Sequence, residues 1–260
     1  MSSHFSSIGL PVADAASFDA AVHDALRSAR EVARTPDSRH HLWIDPCGAA
    51  IAIHVDATGA IQCVTPGFLP RGGGPRWRVH ADGPILAPSC RHCSGLAGDI
   101  LDEQGEVLSR TAVQLLVFAP HEKWLAGAPT FELEMVAFAS RAGFFPDEDA
   151  FRAGQAELFG AHVPGGKPLC LGSRAFLPGG LFQRNDARMM RRASALLTGT
   201  VTSARRLRPA GGATFWHVRV DSYPGAIDVV ADPEVVIGEP AVGAIAAVNA
   251  WLVGRPSEAC

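Results

Sequence analysis

The chain has 260 residues, of which 47% are hydrophobic and 19% charged, a balance that excludes a disordered, collagenous or coiled-coil protein. Lys and Arg number 23 against 26 Asp and Glu, a formal net charge of −3, which excludes the bulk positive charge of a general nucleic-acid or acidic-membrane binder. Surface scaling for this mass gives ~11,000 Å² folded against ~40,000 Å² unfolded, so one large core or two small ones form without staples.

The first residues, Met1-Ser2-Ser3-His4-Phe5, carry no basic segment followed by an apolar one, so no secretory leader is expected. The longest apolar run, 241–254, holds Asn249 and falls short of the ~20 residues that a spanning helix needs. Six cysteines are too sparse for a disulfide scaffold, so reduced thiols and a cytoplasmic location are the expectation.

Residues 15–34 place Phe18, Ala21, Val22, Ala25, Leu26, Ala29 and Val32 at spacings of three and four, which predicts a helix with one apolar face. Asp14 or Ser17 supplies its cap and Pro36 ends the run. The period then shifts to two. Residues 42–45, 49–55 and 60–65 read as strands, the last two joined at Asp56-Ala57-Thr58-Gly59 as a hairpin. The stretch 65–75 (TPGFLPRGGGP) is too rich in Pro and Gly for regular structure. Strands resume at 77–80, 98–101, 106–119 and 131–140, with turns at 81–84 and 102–105. Strands linked by short turns predict an antiparallel sheet.

A second helix is expected from Pro146, with Asp147, Glu148 and Asp149 at its positive end, to Gly160. A short third one runs from Asn185 to about residue 195. Residues 196–207, 213–221, 226–231 and 242–253 then read as strands, with Gly199 in the first. That pattern suits a small Greek-key barrel of the OB type. The expected class is α+β. A mainly antiparallel β body over residues 1–195, with an N-terminal helix and one or two more, precedes an OB-like β-barrel tail over 196–260, unless that tail extends the main sheet.

Three groups of residues carry candidate chemistry. Cys90, His92 and Cys93 form a Cys-x-x-Cys with an internal imidazole, a pattern that can hold zinc when folding supplies further donors. Cys47, Cys63, His54 and His80 are the residues that could complete such a shell; without them the cysteines are packed thiols. The Arg71-Gly72-Gly73-Gly74-Pro75-Arg76 loop can wrap an anion with backbone amides and two guanidinium groups, or simply connect two strands. Glu132 and Glu134 share one face of a predicted strand, as an acid–base pair or as the wet side of a half-buried sheet.

Charge is unevenly distributed. Residues 184–208 hold seven arginines, including Arg191, Arg192, Arg205 and Arg206, against Asp186 alone, whereas residues 95–160 hold 11 acidic side chains against four basic ones. The arginine stretch either pairs with acidic surface of this chain or a second copy, or binds an anionic ligand. With Phe215, Trp216 and Tyr223 close in sequence, a single-stranded nucleic acid is the least favoured occupant. No Gly-x-Ser-x-Gly, His-Glu-x-x-His or Walker signature occurs. The leading expectation is a self-associating, non-enzymatic binding protein. A zinc-dependent hydrolase built on Cys90, His92 and Cys93 is the alternative.

Overall fold

A computed structural model describes residues 4–10, 12, 14–87, 93–127, 129–159, 170–179 and 193–257. Helix α1 (Ala15–Ser28) starts at a capping box: Asp14 accepts the Ser17 N–H at 2.8 Å and Ser17 Oγ accepts the Asp14 N–H at 3.2 Å. The helix stops at Ser28, short of the residue 34 expected from apolar spacing, and β1 (Arg30–Arg34) pairs antiparallel with β2 (Ser38–Ile44) instead. Cross-strand hydrogen bonds outweigh one extra turn of helix there, and Val32, assigned to the helix face, stands exposed on the strand.

Strands β3 (Ala49–Asp56) and β4 (Ile61–Phe68) form the expected hairpin, whose turn is fixed by Asp56 accepting the Thr58 and Ala60 N–H groups. β4 continues through Thr65, Pro66 and Gly67, where irregular chain was expected. It is the edge of the four-stranded sheet β1-β2-β3-β4, so the missing N–H of Pro66 breaks no ladder.

The second sheet has ten strands. They are β5 (Arg76–Ile85), β6 (Gly95–Leu101), β7 (Val107–Leu115), β8 (Thr130–Phe145), β9 (Ala175–Pro178), β10 (Ser194–Leu207), β11 (Phe215–Ser222), β12 (Gly225–Ala231), β13 (Val236–Ile237) and β14 (Ile245–Pro256). The turn expected at 81–84 is a bulge inside β5, between Ala81 and Gly83. Residues 185–192 of the third expected helix lie outside the described residues; Ser194 and Ala195 open β10. Helices α2 (Glu122–Leu125) and α3 (Glu148–Phe159) complete the set.

Most pairings are antiparallel, and only β12–β8, β13–β8 and β14–β7 run parallel among the described strands. Pairings β10–β11, β11–β12, β12–β8, β8–β14 and β14–β10 return to their starting strand. Strands from both sides of residue 195 therefore share one sheet. The protein is α+β, rich in antiparallel strands with few helices.

The two sheets stack face to face. Ile51, Ile53 and Val55 on one face of β3 meet Val22 and Ala25 of α1. The alternate residues Ala50 and Ala52, with Leu42 and Phe68, meet Val136, Phe138, Phe215, Val230 and Val253 of the large sheet. This period-two division places α1 outside and the large sheet inside. No helix among the described residues is long and apolar enough to cross a membrane.

Candidate functional site: an arginine-lined cleft between the sheets

At one end of the inter-sheet layer lies a cleft of about 450 Å³. One wall is the β2–β3 turn and the glycine loop after β4, contributing Cys47, Phe68 and Arg71; the other is β10 and β11, contributing Ser203, Arg205, His217 and Arg219. The strand period explains the second wall. Ser203 and Arg205 alternate onto one face of β10, with Arg219 and His217 as their partners across the ladder. The bulge between Val201 and Ser203 resets the facing of β10, so that buried Val201 gives way to cleft-lining Ser203 and Arg205.

Behind the wall sits Asp228 of β12, with no exposed surface. Its Oδ1 lies 2.9 Å from His217 Nε2 and accepts from Arg219 Nε at 3.0 Å, while Oδ2 accepts from Arg219 Nη2 at 3.2 Å. Burial pushes the Asp228 carboxyl upward, but hydrogen bonds from His217 and Arg219 outweigh burial and hold it below the usual carboxylate range. The buried anion thus fixes two cleft-lining side chains by charge-assisted bonds. Gly74 covers this carboxylate: a Cβ there would stand 3.1 Å from Asp228 Oδ2.

A second buried acid, Asp45, ties the walls together. Its Oδ1 accepts the Cys47 N–H at 2.8 Å and its Oδ2 accepts the Ala210 N–H, beyond β10, at 3.0 Å. Burial raises the Asp45 carboxyl, yet those bonds and the nearby Arg71 leave it below its ordinary value. Cys47 is moved the other way: burial, with the Asp45 carboxylate beside it, pushes the thiol up to about 11. At neutral pH this thiol is protonated and a poor nucleophile.

The structure sorts the sequence candidates. Arg71 and Arg205, named for separate reasons, line the same cleft. Arg76 does not: its Nε lies 3.4 Å from Glu134, which also accepts from Arg255 Nη2 at 2.7 Å. Arg206 turns to the other face, its guanidinium 4.6 Å from the Trp216 ring centre. That stacking covers an aromatic face that a nucleic-acid base would need. Glu132 and Glu134 differ in burial, Glu132 being exposed and Glu134 enclosed by its arginines. Among the described residues, no ion pair joins Arg205, Arg206 or Arg208 to the acidic stretch 95–160.

Arg191, Arg192, Cys90 and His92 lie outside the described residues. Cys93 is described, and its Sγ lies 3.2 Å from Cys63 Sγ. His217, Arg219 and Asp228 escaped sequence reasoning because each occupies an ordinary alternating strand position. A buried Asp within the apolar run 226–231 was the one signal that could have found them.

Compared with known proteins, the chain matches no family model, no curated protein and no solved structure.

Proposed function

We propose that the protein binds a small molecule bearing an oxyanion, a phosphate or carboxylate, in the cleft between its two sheets. One observation carries the reading: Arg71, Arg205, Arg219 and His217 converge on a single cleft, two of them held by a carboxylate buried behind the wall. Guanidinium groups from separate strands match the planar, bidentate geometry of oxyanions. The volume of about 450 Å³ falls within the range of small-molecule sites. Phe68, 4.6 Å between ring centres from His217, adds an apolar surface for the rest of the ligand.

The binding reading is preferred to a nucleophilic enzyme because the cleft thiol, Cys47, is held protonated. Self-association belongs to the same reading, and a strictly monomeric preparation in light scattering removes that part. The test of the whole is a calorimetric titration with inorganic phosphate and with a tricarboxylate, against an uncharged polyol. Saturable binding of an oxyanion that weakens with salt supports it. Absence of binding by either anion at millimolar concentration ends it.

A further inference from the structure

We propose that Cys63 and Cys93 are a reversible dithiol–disulfide pair, oxidised by a hydroperoxide, whose bridge fastens the small sheet to the large one. The site is separate from the arginine-lined cleft and does not rest on its ligand. The two sulfurs already meet: Cys63 Sγ lies 3.2 Å from Cys93 Sγ, although 30 positions separate the residues in sequence. Topology brings them there. Cys63 of β4 is the register partner of His54 of β3, and register partners share a sheet face. His54 alternates with Ala50 and Ala52, which pack against the large sheet. Cys93 leads into β6 of that sheet, so the contact spans the interface between the two.

Both backbones are held where the sulfurs meet. The β3–β4 ladder continues on either side of Cys63, through Ile61 and Val64. After Cys93, the buried Ser94 accepts the Ala87 N–H with its Oγ at 3.0 Å and the Leu115 N–H with its carbonyl at 3.1 Å. Gly95 then lies so close to β7 that a Cβ would stand 1.9 Å from the Val113 carbonyl oxygen. A disulfide bond of about 2.05 Å requires the sulfurs to close by about 1.2 Å, a shift that modest side-chain rotation supplies with the backbone in place. β4 is an edge strand, paired through β3 alone. The bridge gives that strand a second, covalent attachment.

An opening of about 390 Å³, lined by Cys93 with Thr65, Gln114 and Trp251, gives the oxidant its path and sets the order of the chemistry. The Cys93 thiolate attacks one oxygen of the hydroperoxide. The O–O bond breaks, the departing oxygen takes up a proton, and Cys93 becomes a sulfenic acid. The Cys63 thiolate then attacks the sulfenic sulfur, forming the S–S bond and expelling hydroxide, which is protonated to water. With hydrogen peroxide the balance is two thiols and one peroxide giving one disulfide and two waters. The sulfurs lose two electrons and the peroxide gains them. A small thiol reverses the step by exchange. Cys47 does not compete: burial and its bond to Asp45 push its thiol up to about 11, which leaves little thiolate to react.

The experiment uses the full chain, reduced, freed of reductant and treated with hydrogen peroxide while folded. The expected product is a monomer with one intramolecular Cys63–Cys93 bridge, identified by peptide mass spectrometry and reopened by dithiothreitol. Its Tm should rise by ~5–10 °C over that of the reduced chain. Cys63→Ser should stop the reaction at a Cys93 sulfenic acid that dimedone traps, whereas Cys93→Ser should yield at least ~10-fold less trapped product at Cys63. Cys47→Ser should form the bridge at the unaltered rate. A peptide map that joins other cysteines, Cys90 to Cys93 included, overturns the proposal, as does a chain that forms no intramolecular bridge. An unchanged Tm in the bridged chain overturns the fastening, and dimedone capture at Cys63 rather than Cys93 overturns the order of attack. Should either serine variant not fold, the peptide map and Tm of the unaltered chain decide.

Discussion

Arg205 and His217 are register partners across β10 and β11, so their side chains share the cleft face. The next pair, Arg206 and Trp216, occupies the opposite face. Adjacent arginines of equal charge therefore have different physical roles. Arg205→Ala removes a charged contact to the bound oxyanion and should weaken binding by about 10–100-fold, the equivalent of roughly 1.5–3 kcal/mol. Arg206→Ala should leave that affinity unchanged and cost about 0.5–1 kcal/mol of folding stability through loss of the cation–π contact. Calorimetry and urea denaturation on the two variants check both halves, and equal loss of affinity would remove the facing argument.

Arg76 makes a second contrast. Its contact is Glu134, and Arg255 holds the same carboxylate more closely, at 2.7 Å. Arg76→Ala should then change anion affinity less than twofold and stability by no more than about 1 kcal/mol, because the side chain is half-exposed. A tenfold drop in affinity would mean that the glycine loop binds through both of its arginines.

Asp228 sets the stability of the wall. Asp228→Asn keeps the shape but removes the charge shared by His217 and Arg219. The expected cost is about 2 kcal/mol, less than for a wholly buried pair, because the Arg219 side chain is 36% exposed. The folded Asp228 carboxyl lies below its unfolded value of about 3.9. Its contribution is therefore present above about pH 4 and is lost as pH falls through the folded value. Urea midpoints measured from pH 7 down to pH 3 should fall more steeply for the natural chain than for the variant; parallel curves would refute the assignment.

The local elements were largely readable from the sequence, because period and caps are short-range signals. Asp14 as a cap, the 56–59 turn and the strands near 196–231 are cases in point. What was not readable depended on partners distant in sequence. Arg30–Arg34 has helical spacing, yet becomes a strand because β2 lies beside it. Pro66 looks like a breaker until β4 is seen to be an edge. For the cleft, Arg71 and Arg205 were recognisable as cations, but their convergence required the two sheets to stack. Glu134, placed on a wet face by its alternation with Leu133, is buried because arginines of β5 and β14 cover it.

The capping box at α1 gives a prediction free of the site. Asp14→Ala deletes the acceptor for the Ser17 N–H, while the reciprocal bond from the backbone N–H of residue 14 to Ser17 Oγ does not depend on that side chain. Loss of an N-cap costs about 1 kcal/mol. Since α1 covers Ile51, Ile53 and Val55, the loss should appear as a shift of the whole denaturation midpoint, with anion affinity unaltered. A change confined to helical circular dichroism without a midpoint shift would show that α1 unfolds on its own.

Cys47 reports on the electrostatics of the cleft. Its folded value of about 11 lies above that of an unfolded cysteine, first through burial and then through the Asp45 carboxylate beside it. The associated stability is complete below the unfolded value of about 8.5 and is lost as pH rises toward the folded one. At pH 8 a thiol with a pKa of 11 is about one part in 1,000 thiolate, against roughly one part in four at 8.5. Iodoacetamide at pH 8 should therefore label Cys47 about two orders of magnitude more slowly than it labels the unfolded chain. Among the described cysteines, exposed Cys170 should react first in the native protein. Asp45→Asn retains an acceptor for the Cys47 N–H but removes the charge, so the thiol should titrate lower and label faster. Mass spectrometry of the alkylated peptides reads all three rates, and labelling of Cys47 that ignores the Asp45 substitution would show that burial alone keeps the thiol protonated.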